Sequence, residues 1–166
     1  MKVIDILNNT DKPVFSFELV PPLKGGDINK IYEAIEPLIA LAPPFINITF
    51  HRDEVVYREY PDGTIKKVTV TKRPGSVALA AAIMRRYNVD MVPHIVCGGA
   101  TRHKIENELI DLNFLDIENV MALRGDPIPG ERFFTPEEGG HLYSCELVEQ
   151  ITRMNHGQYL DDTLTD

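Results

Sequence analysis

Four short runs of apolar, β-branched and aromatic residues recur along the chain, at Val14–Val20, Phe45–Phe50, Met91–Cys97 and Asn119–Arg124. Each is followed by a segment whose apolar residues fall at helical spacing. This alternation is the strongest constraint on the fold, because strands separated by crossover helices pair in parallel and need helices packed on the sheet. After the first run Asp27 can cap a helix bearing Ile28, Ile31, Ile35, Leu38 and Ile39, which Ala42-Pro43-Pro44 stops. Ser76, behind Pro74-Gly75, is expected to cap a second helix, "VALAAAIMRRY". Thr101 is expected to cap a third, aligning Ile105, Leu109 and Leu112, and Ser144 to head a fourth with Leu147, Val148, Ile151 and Met154 on one side. Between the second strand and second helix, Pro61-Asp62-Gly63 divides two β-prone runs, so a projecting β-hairpin is predicted at about 55–72.

Four βα units fit half of a (βα)8 barrel or an open doubly wound sheet. The second needs a GxGxxG turn after the first strand, and "VPPLKGGDI" does not supply one. The expected fold is therefore α/β of the (βα)8 TIM-barrel type. Eight units take about 250 residues, whereas this chain has 166. Residues 1–166 are expected to form a single domain, the N-terminal half of such a barrel, with "QYLDDTLTD" leading toward a further strand of a longer chain. Exposed strand edges make association, such as a homo-oligomer, the expected state.

Seventeen basic against twenty-five acidic residues give a net charge of −8 with no Lys/Arg cluster, which disfavours nucleic acid as a partner. "MKVIDILNNTDKP" lacks the apolar core of a signal peptide, and no run of about eighteen apolar residues occurs, so no membrane association is expected and the location is read as cytoplasmic. Cys97 and Cys145 form no CxxC pair and read as reduced thiols, and His94, Cys97, His141 and Cys145 show no familiar metal-ligand spacing.

In barrels, reactive groups gather at the C-terminal strand ends. Those ends carry Glu18, then Thr49-Phe50-His51, then His94 to Thr101, then Arg124-Gly125-Asp126. Glu18 reads either as a paired or solvated strand residue or as a carboxyl whose proton is held near neutral pH for acid catalysis. His94 reads as a satisfied core histidine or a ligand contact. "RGDP" at 124–127 reads as a turn with an internal salt bridge or a place where a ligand approaches the Gly125 backbone. Gly98-Gly99 before a Thr-capped helix is a weak phosphate-binding pattern.

Taken in order, "FSFELVPP", "INITF", "VPHIVCGGAT", "NVMALRGDP" and "HLYSCELV" resemble the methylenetetrahydrofolate reductases, flavin-dependent (βα)8 barrels, from about Phe15 to Met154. Where the family carries a Tyr-Gly, glycine-rich segment after the second-strand Thr, this chain has Phe50-His51-Arg52 and the predicted hairpin. The resemblance implies non-covalent FAD at the C-terminal barrel face, NAD(P)H as donor and 5,10-methylenetetrahydrofolate as acceptor, giving 5-methyltetrahydrofolate. By the same resemblance Glu18 is the acid that protonates the departing N10 of the folate, and Asp126 is the aspartate beside the flavin. Thr49, His94, Arg124, Gly125, Tyr143 and Ser144 match FAD contacts, and aromatic and apolar walls are expected to complete a dry slot. The 166-residue chain alone is expected to be inactive. Two other readings stand beside this one: a non-catalytic half-barrel binding or assembly module, and a flavin-free barrel lyase using Glu18 and Asp126 as an acid–base pair.

Overall fold

The computed structural model describes residues 1–161 and 163. Residues 162 and 164–166, the end of the segment expected to lead toward a further strand, lie outside the described residues. The elements run α1 (Val3–Asn8), β1 (Phe17–Leu19), α2 (Ile28–Ile39), β2 (Phe45–Ile48), β3 (Glu54–Glu59), β4 (Ile65–Val70), α3 (Ser76–Tyr87), β5 (Asp90–Val96), α4 (Arg102–Phe114), β6 (Met121–Leu123) and α5 (Ser144–Asn155). β1, β2, β5 and β6 form one parallel sheet in the order β1-β2-β5-β6, so the chain is an α/β structure of four βα units. Among the described residues the sheet does not close on itself, and β1 and β6 are its two edges.

Alternation along the strands decides which residues seal the core. Ile46 and Ile48 of β2 and Met91 and Ile95 of β5 are at most 1% exposed and pack with Ile35 of α2, Leu79 and Ile83 of α3, Ile105 and Leu112 of α4 and Leu147 of α5. The helices thus cover one face of the sheet, and burying each such side chain is worth roughly 1.5–3 kcal/mol. The hairpin stands apart from this core: β3 and β4 pair antiparallel, and Asp62 closes the turn by accepting from Thr64 N–H (3.0 Å) and Oγ1 (2.6 Å).

The caps divide. Asp27 accepts from Asn29 N–H (2.9 Å) and Thr101 from Lys104 N–H (3.2 Å), as their positions predicted. Ser76 is not a cap: Gly75 occupies the N-cap, and Ser76 Oγ donates instead to the carbonyl of His94 (3.3 Å), pinning α3 to β5. Ser144 lies one residue inside α5, whose N-cap is Tyr143. There Glu146 reaches back to accept from the N–H groups of Leu142 (2.7 Å) and Tyr143 (3.1 Å), and those bonds hold its carboxyl below the usual range. Val148, expected on the apolar side of α5, is half exposed.

The first strand is shorter than its apolar run, because only Phe17–Leu19 find partners on β2, with Glu18 at the centre and not the end. Phe15 and Val20 outside the pairing are exposed. The six-residue α1 has no side-chain cap and is held by tertiary contacts: the terminal amine meets Asp90 (2.7 Å) and Glu118 (3.1 Å), and Val3 N–H donates to Asn119 (2.8 Å).

Candidate functional site

The face of the sheet turned away from the helices carries the chemistry. Parallel register sets Glu18 beside Asn47 and Asn47 beside Val92, and the two-residue period brings Thr49 and His94 to the same side. Asn47 is 8% exposed and His94 5%. Asn47 Nδ2 donates weakly to Ser16 Oγ (3.3 Å) and the Phe17 carbonyl (3.5 Å), while its Oδ1 finds no partner among the described residues. His94 Nε2 is likewise buried and unpartnered by any hydrogen bond, and the Glu18 carboxylate lies 3.7 Å from it. Burial pushes the His94 imidazole below its ordinary value, and the nearby Glu18 charge opposes that shift in part.

Glu18 itself is 57% exposed at the side chain, so the enclosure expected for a proton-holding carboxyl is not supplied by these four units alone. The reason is positional: β1 is an edge strand, and nothing in the described residues pairs with its outer side. Thr49 sits just past β2, where its hydroxyl is 3.3 Å from the Leu19 carbonyl and 3.2 Å from His51 Nε2.

A second group gathers past β6. Leu123, Arg124, Gly125, Asp126, Tyr143 and Ser144 line an open cavity of about 470 Å³. Its lining sets the Leu123 side chain and the Tyr143 ring beside the polar Arg124, Asp126 and Ser144. Gly125 has φ +86°, and a Cβ there would meet Val96 Cγ1 at 2.7 Å, so no other residue fits without displacing the strand. Gly98 N–H donates to the Arg124 carbonyl (3.1 Å), which ties the turn after β5 to the one after β6. The Arg124 guanidinium lies over the Phe134 ring (5.4 Å to its centre), and its Nε reaches the Gly125 carbonyl (3.4 Å). Among the described residues it makes no ion pair with Asp126, so the turn is not held by the internal salt bridge that "RGDP" allowed.

The loop bearing Tyr143 is fixed from behind. His141 Nε2 and Gln150 Oε1 are 2.6 Å apart, Gln150 Nε2 donates to the Arg102 carbonyl (3.0 Å), and the Cys97 thiol lies 3.7 Å from the Tyr143 carbonyl. Burial pushes the Cys97 thiol up. The site residues thus form two clusters, one of Glu18, Thr49 and His94 on the sheet face and one of Arg124, Gly125, Asp126, Tyr143 and Ser144 around the cavity. Glu18 and Asp126 make no direct contact, which gives no support to an acid–base pair between them. Asn47 was missed by the sequence reading; its signal was a polar residue in the inward phase of "FINIT". Phe134, the lid over Arg124, had no signal, since its neighbourhood is irregular loop.

A family model described as methylenetetrahydrofolate reductase matches residues 2–165. The chain is 28% identical over 99% of its length to methylenetetrahydrofolate reductase (NADH) 1 of Arabidopsis thaliana. It is 26% identical over 80% of its length to the 5,10-methylenetetrahydrofolate reductase of Salmonella typhimurium, and 24% over 94% to the probable methylenetetrahydrofolate reductase (NADPH) of Caenorhabditis elegans. It spans 25% of the length of the plant relative, 38% of the bacterial one and 21% of the nematode one.

Proposed function

The chain belongs to the methylenetetrahydrofolate reductase family, and from that premise we propose that it supplies the acid and part of the flavin site of an enzyme that reduces 5,10-methylenetetrahydrofolate to 5-methyltetrahydrofolate with NAD(P)H. The observation that carries this reading is the polar sheet face, where Glu18 stands beside the buried Asn47 and His94, and Asn47 Oδ1 has no hydrogen-bond partner among the described residues. Unsatisfied buried polar atoms cost free energy and persist where a ligand meets them. A heteroaromatic ring edged with donors and acceptors fits that need, and the backbone at Gly125, which has no side chain, leaves room for close approach. The residues present therefore fit FAD. Thr49 and His94 would hold it on the sheet face, and Arg124, Gly125, Tyr143 and Ser144 around the cavity past β6. FAD, when bound, relays a hydride from the nicotinamide to the folate.

The chain's own residues do the rest. Glu18 gives its proton to the departing folate nitrogen, whose loss opens the five-membered ring to a cation ready for hydride. Asp126, an exposed carboxylate at the cavity, stabilises that cation by its negative charge. We propose further that the four units are the first half of an eight-stranded barrel, in which β1 and β6 acquire their missing neighbours and Glu18 its enclosure. On this reading the isolated 166-residue chain self-associates and binds FAD weakly, a state that light scattering with a flavin titration reads directly.

The decisive experiment is Glu18→Gln in the intact enzyme, with the two half-reactions followed by stopped flow. Flavin reduction by NAD(P)H is expected to survive, while folate reduction falls by about two orders of magnitude or more. Equal loss in both half-reactions would remove Glu18 from the acid's role.

A further inference from the structure

Glu18 and His94 belong to strands separated by β2, yet their polar atoms stand 3.7 Å apart. Adjacent strands lie about 4.8 Å apart, so two side chains must lean toward each other over Asn47 to come that close. His94 Nε2 is sealed from solvent and has no hydrogen-bond partner. Around it, the register sets the neutral Asn47 of β2 and Met121 and Ala122 of β6, α3 places the neutral Ser76 hydroxyl on its carbonyl, and the titratable His51 stands 3.2 Å from the Thr49 hydroxyl just past β2. Glu18 is the charged group that acts on it.

We propose, resting on the reductase reading above, that Glu18 and His94 share one proton, the neutral His94 Nε2 accepting from the protonated Glu18 carboxyl, so that His94 is the positioning residue that keeps the acid loaded and aimed across the sheet face. The proton balance is simple. The Glu18 O–H bond breaks as the substrate N–H bond forms, Glu18 remains as carboxylate, and its exposed side takes the next proton from water. Burial serves the pair, because an imidazolium beside Glu18 would drive the proton off the carboxyl.

NMR of the protein, following the Glu18 carboxyl carbon and the His94 ring nitrogens against pH, tests the pair without any turnover. In the wild type both signals are expected to move in one shared step, Nε2 losing its hydrogen-bond donor as the pair gives its one proton to water. In His94→Phe the Glu18 signal is expected to leave that shared step and move at lower pH, since the protonated form has lost its acceptor. If His94→Phe does not fold, Glu18→Gln reads the pair from the other side, because the Nε2 signal then no longer moves in the Glu18 step. An unchanged Glu18 step in His94→Phe, or an unchanged Nε2 profile in Glu18→Gln, overturns the proposal. In the flavin-loaded enzyme the basic limb of the kcat profile should move down with the Glu18 step while KM holds; a uniform loss at every pH would mean a merely structural histidine. Coupled titration in a protein that binds flavin but reduces no folate would keep the pair and remove the reductase reading, and the reverse result would do the opposite.

Discussion

The two faces of the sheet are made by the same strands and differ in almost everything else. On the helix side, Ile46, Ile48, Met91 and Ile95 are sealed and touch only apolar neighbours. On the other side, one residue out of phase, Glu18, Asn47 and His94 leave polar atoms unpaired and one carboxyl more than half exposed. The first face holds the fold together, and the second spends part of that stability on groups that are satisfied only by something outside these four units. The contrast shows why a site of this kind needs a rigid support directly behind it: Asn47 lies between the buried Ile46 and Ile48, and His94 between the buried Pro93 and Ile95.

The contrast breaks most visibly at Ile95. Ile95→Ala, at a fully buried position between His94 and Val96, is expected to destabilise the protein by about 2–5 kcal/mol. Glu18→Gln, on an exposed side chain of the opposite face, is expected to change stability by less than about 0.5 kcal/mol. Urea denaturation of both variants checks the pair of values. Similar losses from the two would mean that the faces are not functionally divided.

How much of this was legible follows from the same division. The helix-side face was readable because β-branched residues at a two-residue period, set against helix segments with Ile and Leu at three and four, admit one packing. The four parallel strands, the hairpin turn at Asp62-Gly63 and the caps at Asp27 and Thr101 came from local chemistry of that kind. The polar face was half readable. Glu18, Thr49 and His94 were found because they lie toward the C-terminal ends of apolar runs, where a barrel gathers its chemistry, but Asn47 was passed over as one polar residue among β-formers. The closeness of Glu18 to His94 depends on two side chains reaching over an intervening strand, which no linear pattern encodes. Ser76 misled for a related reason: its hydroxyl chose a tertiary acceptor on β5 over the local capping role its position suggested.

A smaller effect, also tied to the polar face, is the response to acid. Burial holds the His94 imidazole below its ordinary value of 6.5, so the folded state prefers the neutral ring and the unfolded chain takes up the proton first. That contribution to stability is whole above pH 6.5 and is lost as pH falls through the folded value. Glu108 runs the other way. Its carboxyl on α4 is raised above 4.5 by burial, so it stabilises the fold only in acid and is a cost at neutral pH. Stability is therefore expected to fall as pH drops below about 6.5, and His94→Gln should flatten that slope, whereas Glu108→Gln, by removing a group that opposes it, should not. A slope untouched by His94→Gln would show that the ring is not the titrating group.

The smallest expected effect separates the two thiols. Cys97 follows β5 directly, is fully buried, and burial raises its thiol further from ionisation. Cys145 lies on the first turn of α5 and is exposed. A neutral alkylating reagent should therefore modify one thiol per folded chain, at Cys145, with Cys97 reacting only on unfolding. Because Cys145 adjoins Ser144 and Tyr143 at the cavity past β6, its alkylation should leave stability nearly unchanged yet be slowed by FAD in the intact enzyme. Peptide mapping after limited alkylation reads both outcomes. Rapid native modification of Cys97 would mean that the helix-side face opens under mild conditions, and the division between a sealed support and an unsatisfied working face would then have to be withdrawn.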